Sequence, residues 1–94
     1  MLVRLTSRAS APPDLLIQEL QGESVLLNLR TGRYFGLDQV GTRTWTALTT
    51  VESLQAACDN LLAEYDVEGE RLQQDLQDLV EKLVEHGLME IHGG

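Results

Sequence analysis

Three short apolar runs, residues 14–21, 24–29 and 33–37, are separated by connections of only two or three residues. A parallel crossover needs a dozen or more residues, so these runs pair as an antiparallel meander. Gly22-Glu23 forms the first turn, and Arg30-Thr31-Gly32 forms the second, with glycine where a positive φ is needed. Alternation puts Phe35 and Leu37 on one face of the third strand and Tyr34 on the other. Gly36 removes a side chain from the same strand. That suits either close packing against a neighbour or the approach of another backbone.

The period then changes from two to 3.6. Asp38 is placed to cap a helix, and Val40, Thr44, Trp45 and Leu48 share one helical face over residues 39–49. Ser53 caps a second helix carrying Leu54, Ala57, Cys58, Leu61, Leu62 and Tyr65. The third helix, 68–86, has Leu72, Leu76, Leu79 and Leu83 at spacings of four, three and four, widened by Val80 and Val84. Gly87 is a natural left-handed stop. Leu88-Met89-Glu90-Ile91 then has room for a short strand or wing. Upstream, Ala9-Ser10-Ala11-Pro12-Pro13 makes residues 1–13 a flexible N-terminal arm, leaving 14–92 as a single domain. The fold class is α+β: a three-stranded antiparallel sheet, then three α-helices.

With 94 residues the chain makes one modest core. Its net charge of −8 argues against nucleic acid and anionic membranes as partners. The charge is uneven. Residues 1–50 carry five arginines against four carboxylates, and residues 51–94 carry two cations against eleven carboxylates. An acidic second half is either a solvated helical surface or a field that steers in a basic partner. No stretch nears the roughly 18–20 apolar residues that span a bilayer. Met1-Leu2-Val3-Arg4-Leu5 lacks a signal peptide's apolar region, so a cytoplasmic location is expected.

Catalytic chemistry finds no foothold. Cys58 is the only cysteine and lies on the apolar side of its helix, where a small buried residue belongs. His86 sits where it meets the end of the third helix, and His92 falls in a tail. Neither has a metal-ligand spacing. Asp75 and Asp78 are ordinary exposed helix positions, and no glycine-rich phosphate loop exists. The expectation is a protein with no catalytic residue, metal or cofactor. A winged-helix DNA-binding regulator would present Arg, Lys, Asn or Gln from a recognition helix, and the first helix offers only Gln39 and Arg43.

What the pattern does offer is a sheet edge. The third strand comes last in the meander, so its outer N–H and C=O groups can accept a peptide as another strand. Beside it, the third helix has more apolar width than a small sheet must cover. A flank drawn from Leu72, Leu76, Leu79 or Val80 either lines a groove there or belongs entirely to the core.

The run Leu26-Leu27-Asn28-Leu29-Arg30-Thr31-Gly32-Arg33-Tyr34-Phe35-Gly36-Leu37-Asp38-Gln39-Val40-Gly41-Thr42-Arg43-Thr44-Trp45 resembles the signature region of the PqqD-like proteins. There, Thr-Gly-Arg-Tyr, an aromatic residue, one variable residue and Leu-Asn/Asp precede a spaced Gly and Trp. Leu61–Val67 resembles the family's second-helix ending, and Asp75-Leu76 through His86-Gly87-Leu88 resembles its third helix. The likeness covers residues 14–91. It implies a winged-helix-like domain that recognises the leader of a ribosomally made, post-translationally modified peptide. The leader would add to the third strand at Arg33, Tyr34, Phe35, Gly36 and Leu37. It would pack on a third-helix flank of Leu72, Asp75, Leu76 and Leu79. The form of the signature looks like the freestanding lasso-peptide proteins, which hand a precursor to a separate leader peptidase, a cyclase acting afterwards. Asp38 stands where Asn is frequent, and the second strand lacks a Tyr-Pro-Glu segment associated with the quinone-cofactor branch. A peptide chaperone of that branch and a general protein–protein adaptor are the alternative readings.

Overall fold

Two small sheets and three helices make up the computed structural model, which describes residues 6–92. The larger sheet holds β2 (Leu15–Leu20), β3 (Glu23–Asn28) and β4 (Tyr34–Leu37) in the order β2-β3-β4, all antiparallel. Glu23 pairs with Leu20, so the hairpin turn is Gln21-Gly22, one residue earlier than the sequence suggests. Both turn residues have positive φ, 55° and 83°, which matches the right-handed twist of the strands they join. Gly32, at φ 76°, closes the second connection by donating its N–H to the Asn28 carbonyl at 2.8 Å.

Helices α1 (Gln39–Thr50), α2 (Leu54–Glu64) and α3 (Gly69–Glu85) fall where the 3.6-residue period predicts. The Asp38 carboxylate accepts from the Gly41 N–H at 2.7 Å, and the Ser53 hydroxyl from the Ala56 N–H at 3.2 Å. Each satisfies an amide that has no partner within its helix. Gly87, at φ 71°, ends α3: its N–H reaches the Val84 carbonyl and the Leu88 N–H reaches the Leu83 carbonyl. That pair of bonds returns the chain sharply into a last strand.

Residues 7–10 are not a free arm. β1 (Arg8–Ser10) pairs antiparallel with β5 (Glu90–His92), with Ala9 opposite Ile91. Ala9 is buried, and the Ser7 carbonyl accepts from the Leu54 N–H at 2.9 Å. The Ser10 hydroxyl and His92 Nε2 lie 2.8 Å apart, so His92 belongs to a ribbon rather than a tail. Pro12-Pro13 marks the exit from a strand whose partner lies some eighty residues away, and local pattern carries no trace of such a partner. Residues 1–5 of the expected arm lie outside the described residues.

The core lies between the inner face of the larger sheet and the three helices. Leu26 and Leu37 meet Trp45, Leu48, Leu54, Leu61, Leu76, Val80, Leu83 and Leu88 there. Each buried leucine contributes about 1.5–3 kcal/mol. Ser24 and Thr42 share a buried hydroxyl–hydroxyl bond of 2.7 Å that fixes α1 against β3. Among the described residues nothing covers the outer face of the sheet: Leu16, Val25 and Tyr34 are 47%, 47% and 71% exposed.

Candidate functional site

β4 forms one edge of the larger sheet, and its backbone parity decides what that edge offers. The Asn28 N–H donates to the Arg33 carbonyl at 2.9 Å, which makes residues 28 and 33 a hydrogen-bonded pair. Antiparallel ladders alternate, so Leu26–Phe35 and Ser24–Leu37 are the next such pairs. The N–H and C=O groups of Tyr34 and Gly36 therefore point away from β3, toward the open side. The Tyr34 side chain and the bare Cα of Gly36 share the outer face. Phe35 and Leu37 turn inward, Phe35 half-buried and Leu37 buried. Arg33 precedes the strand, with its N–H bonded to the Thr31 hydroxyl at 3.3 Å.

Beyond β4 the chain turns at Asp38 into α1, whose first turn stands over α3. An apolar hollow of about 670 Å³ opens there, lined by Val40, Leu61, Tyr65, Leu72, Leu76 and Leu79 among others. Asp75 and Arg71 stand at its rim, 3.7 Å apart. Arg43 of α1 grips Glu64 of α2 with its Nε, 2.8 Å from Oε2, and with Nη2 on Oε1. This bond raises the arginine pKa still further and ties together two walls of the hollow.

The four α3 residues of the expected flank do not share one environment. Leu76 is 2% exposed and forms the floor of the hollow, while Leu72 and Leu79 are half-buried and Asp75 is exposed. Val80 is fully buried. At about 100° per residue, Leu72 and Leu79 lie roughly 40° and 60° from Leu76 on the same side, with Asp75 further round. Val80 lies on the opposite side. Leu76 therefore points into the core, and only the edge of the stripe faces the hollow.

His86 falls on the Leu79 side as well, roughly 80° from Leu76. Its ring meets Phe35 with centroids 6.3 Å apart, and its Nδ1–H donates to the Lys82 carbonyl at 2.8 Å. The bond to the helix end was expected; the contact with β4 was not, nor were the roles of Val40 and Tyr65. The helical wheel of α3 carries the signal for His86. Val40 and Tyr65 join the hollow through tertiary packing alone. Cys58 is buried, and burial pushes its thiol pKa up, away from the reactive thiolate.

Among the described residues no cluster of three or more His, Cys, Asp or Glu side chains is arranged to hold a metal, and no helix is long and apolar enough to cross a membrane. Residues 23–89 match the family described as coenzyme PQQ synthesis protein D. The chain belongs to the PqqD family. No curated protein sequence matches it. Two solved structures of similar fold are close in length to this family member. One, TbiB1 in complex with the TbiA(beta) leader peptide, is 33% identical with a TM-score of 0.81, covering 90% of this chain and 99% of that one. The other, lasso peptide synthetase B1 complexed with the leader peptide, is 25% identical with a TM-score of 0.79, covering 88% and 98%.

Proposed function

We propose that this protein binds the leader of a ribosomally synthesised precursor in lasso peptide biosynthesis and delivers it to a separate leader peptidase. The leader adds as a strand to β4, using the outward amides of Tyr34 and Gly36. Its apolar side chains continue past Asp38 into the hollow above Leu76, between Leu72 and Leu79. The observation that carries this reading is an edge strand, β4, joined through Asp38 to a helix whose first turn lines an apolar hollow, in a fold shared with two leader-peptide complexes.

The division of labour follows from the chemistry. Backbone bonds along an edge give direction with little sequence selectivity, so the hollow and its rim must select the peptide. A disordered leader loses freedom on binding, at a cost of about 2–5 kcal/mol, which apolar burial has to exceed. Holding the precursor beside a peptidase raises its effective concentration there without any catalytic group in this chain.

Fluorescence anisotropy of a labelled leader from the precursor encoded beside this gene tests the reading. Saturable binding with a Kd below about 10 μM is expected. Absence of binding at tenfold higher concentration, with the protein folded, overturns the assignment for that precursor. The family is named for the quinone cofactor, so the quinone-pathway precursor serves as the competing ligand in the same titration.

A further inference from the structure

The cations of this chain are few, and most of the unpaired ones gather at one place. Of six arginines and one lysine, Arg43 and Arg71 are committed to Glu64 and Asp75, and Arg4 lies outside the described residues. Arg8, Arg30, Arg33 and Lys82 remain. All four are exposed, and among the described residues none of them makes an ion pair. Arg8 belongs to the β1–β5 ribbon. The other three lie where β4 begins and α3 ends.

Backbone links and one ring contact place that junction. The Asn28 N–H donates to the Arg33 carbonyl, and Asn28 Nδ2 donates to that of Gly87. The Arg30 N–H donates to the same Asn28 side chain. Two residues on from Arg33, Phe35 lies against the His86 ring of the last α3 turn. Lys82 falls roughly 60° from Leu79 and 40° from His86 on the helical wheel, on the side that His86 shows to β4. Asp78, one turn earlier, accepts from Gln74 Nε2 at 2.9 Å. Glu81 and Glu85 point roughly 160° and 120° away from Leu79. The last turns of α3 therefore hold Lys82 beside β4 and turn those two carboxylates away.

The opposite end of the site has the opposite sign. Glu68 and Asp75 stand around the hollow there, and Asp38 caps α1. The negative end of the α3 dipole accounts for a cation at position 82. It does not account for Arg30 and Arg33, which belong to the turn before β4. A chain with a net charge of −8 thus keeps three unpaired cations at one end of its peptide site.

We propose that this junction takes a carboxylate from the bound peptide: an Asp or Glu of the leader set beside Arg33 and Lys82, with Arg30 adding to the field. The inference rests on the strand-addition reading above and adds a charged selection to its apolar one. Arg33 stands opposite Asn28 in the ladder, so it shares the inner face of β4 with Phe35. A side chain of the added strand on that face points toward Lys82. The acidic residue then sits about four to six residues from those that fill the hollow, the length of β4 and Asp38. Like charge at Asp38 and Asp75 opposes the reverse placement, so the two ends together fix which way a given leader runs.

A phage-displayed library of random peptides, selected in parallel on the wild-type protein and on Arg33→Gln/Lys82→Gln, tests this. Both positions are exposed, so the variant should melt within a few degrees of wild type. Wild-type binders should share one acidic position at a fixed distance from their apolar ones. Changing it to the amide should weaken binding about fivefold on the wild-type protein, the scale of one partly screened ion pair, and hardly at all on the double variant. Arg8→Gln, which removes the fourth unpaired cation, should leave the wild-type ratio unchanged. Arg33→Glu should select Lys or Arg at the same position. Wild-type binders without a fixed acidic position, or an amide change that costs the same on both proteins, overturn the inference and leave strand addition standing. Wild-type binders whose affinity is untouched by Tyr34→Pro overturn the strand-addition reading, and this inference falls with it.

Discussion

Asn28 Nδ2 donates to the carbonyl of Gly87 at 2.7 Å, joining the end of β3 to the residue that stops α3. The same side chain accepts from the Arg30 and Thr31 N–H groups at 2.9 and 3.1 Å through Oδ1. One buried amide thus shapes the turn into β4 and holds it against the helix that forms the other wall of the site. Asn28→Ala removes these three bonds, each worth about 1 kcal/mol net. Thermal denaturation followed by circular dichroism should show a fall of roughly 12–24 °C for a domain of this size. A fall of only a degree or two would mean that the turn holds itself.

The β1–β5 ribbon makes residues 8–10 part of the fold. Deleting residues 1–11 removes the three paired residues of β1, the buried Ala9 and the Ser7 bond to Leu54. The truncated protein should lose about 2–3 kcal/mol, read as a lower midpoint in urea. An unchanged midpoint would show that residues 8–10 behave as the free arm that the following Pro12-Pro13 suggests.

Much of this fold is legible in the sequence because its signals are local. Asp38, Ser53 and Gly87 mark helix ends through bonds to residues within five positions of themselves, and the α3 stripe needs only its own period. The ribbon was hidden because Arg8 and His92 meet across the whole chain. The site was half legible for the same reason. Strand parity put the Tyr34 and Gly36 amides on the open edge of β4, and the helix stripe put Leu72 and Leu79 beside the hollow. Which leucine forms the floor and which the wall depends on how α3 is rotated against α1 and α2, and the spacing of the stripe does not encode that rotation.

Cys58 should be slow to react. Burial raises its thiol pKa, with a smaller contribution from Asp59, so the neutral form is favoured in the fold. A raised folded pKa means that this group's contribution to stability is complete below the ordinary value of 9.0 and is lost as pH rises through the folded value. Labelling with a chromogenic disulfide at pH 8 should be at least 100-fold slower in the native protein than in urea, since it requires opening of the core. Equal rates would place the thiol at the surface.

Leu76 and Leu79 separate stability from binding. Leu76→Ala opens a cavity in the core and should cost about 2–5 kcal/mol, and Leu76→Arg should leave the chain unfolded. Leu79→Ser touches a half-buried position at the edge of the stripe. It should cost about 1 kcal/mol while weakening peptide binding about tenfold. Circular dichroism and anisotropy on the two variants check this together. A stable Leu79→Ser that binds as tightly as wild type would move the peptide away from this wall.

Backbone parity gives a test that side-chain substitutions do not. The Tyr34 N–H faces the open edge, whereas the Phe35 N–H faces β3. Proline removes that hydrogen, and an edge strand tolerates it only where the hydrogen points to solvent. Phe35→Pro should therefore break the ladder and unfold or strongly destabilise the protein. Tyr34→Pro should keep the fold and lose one backbone bond to an incoming strand, about 1–1.5 kcal/mol or a five- to twelvefold rise in Kd. Tyr34→Ala, which keeps the amide, controls for the lost ring. If the proline and alanine variants bind peptide equally, the Tyr34 amide makes no bond to the leader, and strand addition at this edge is wrong.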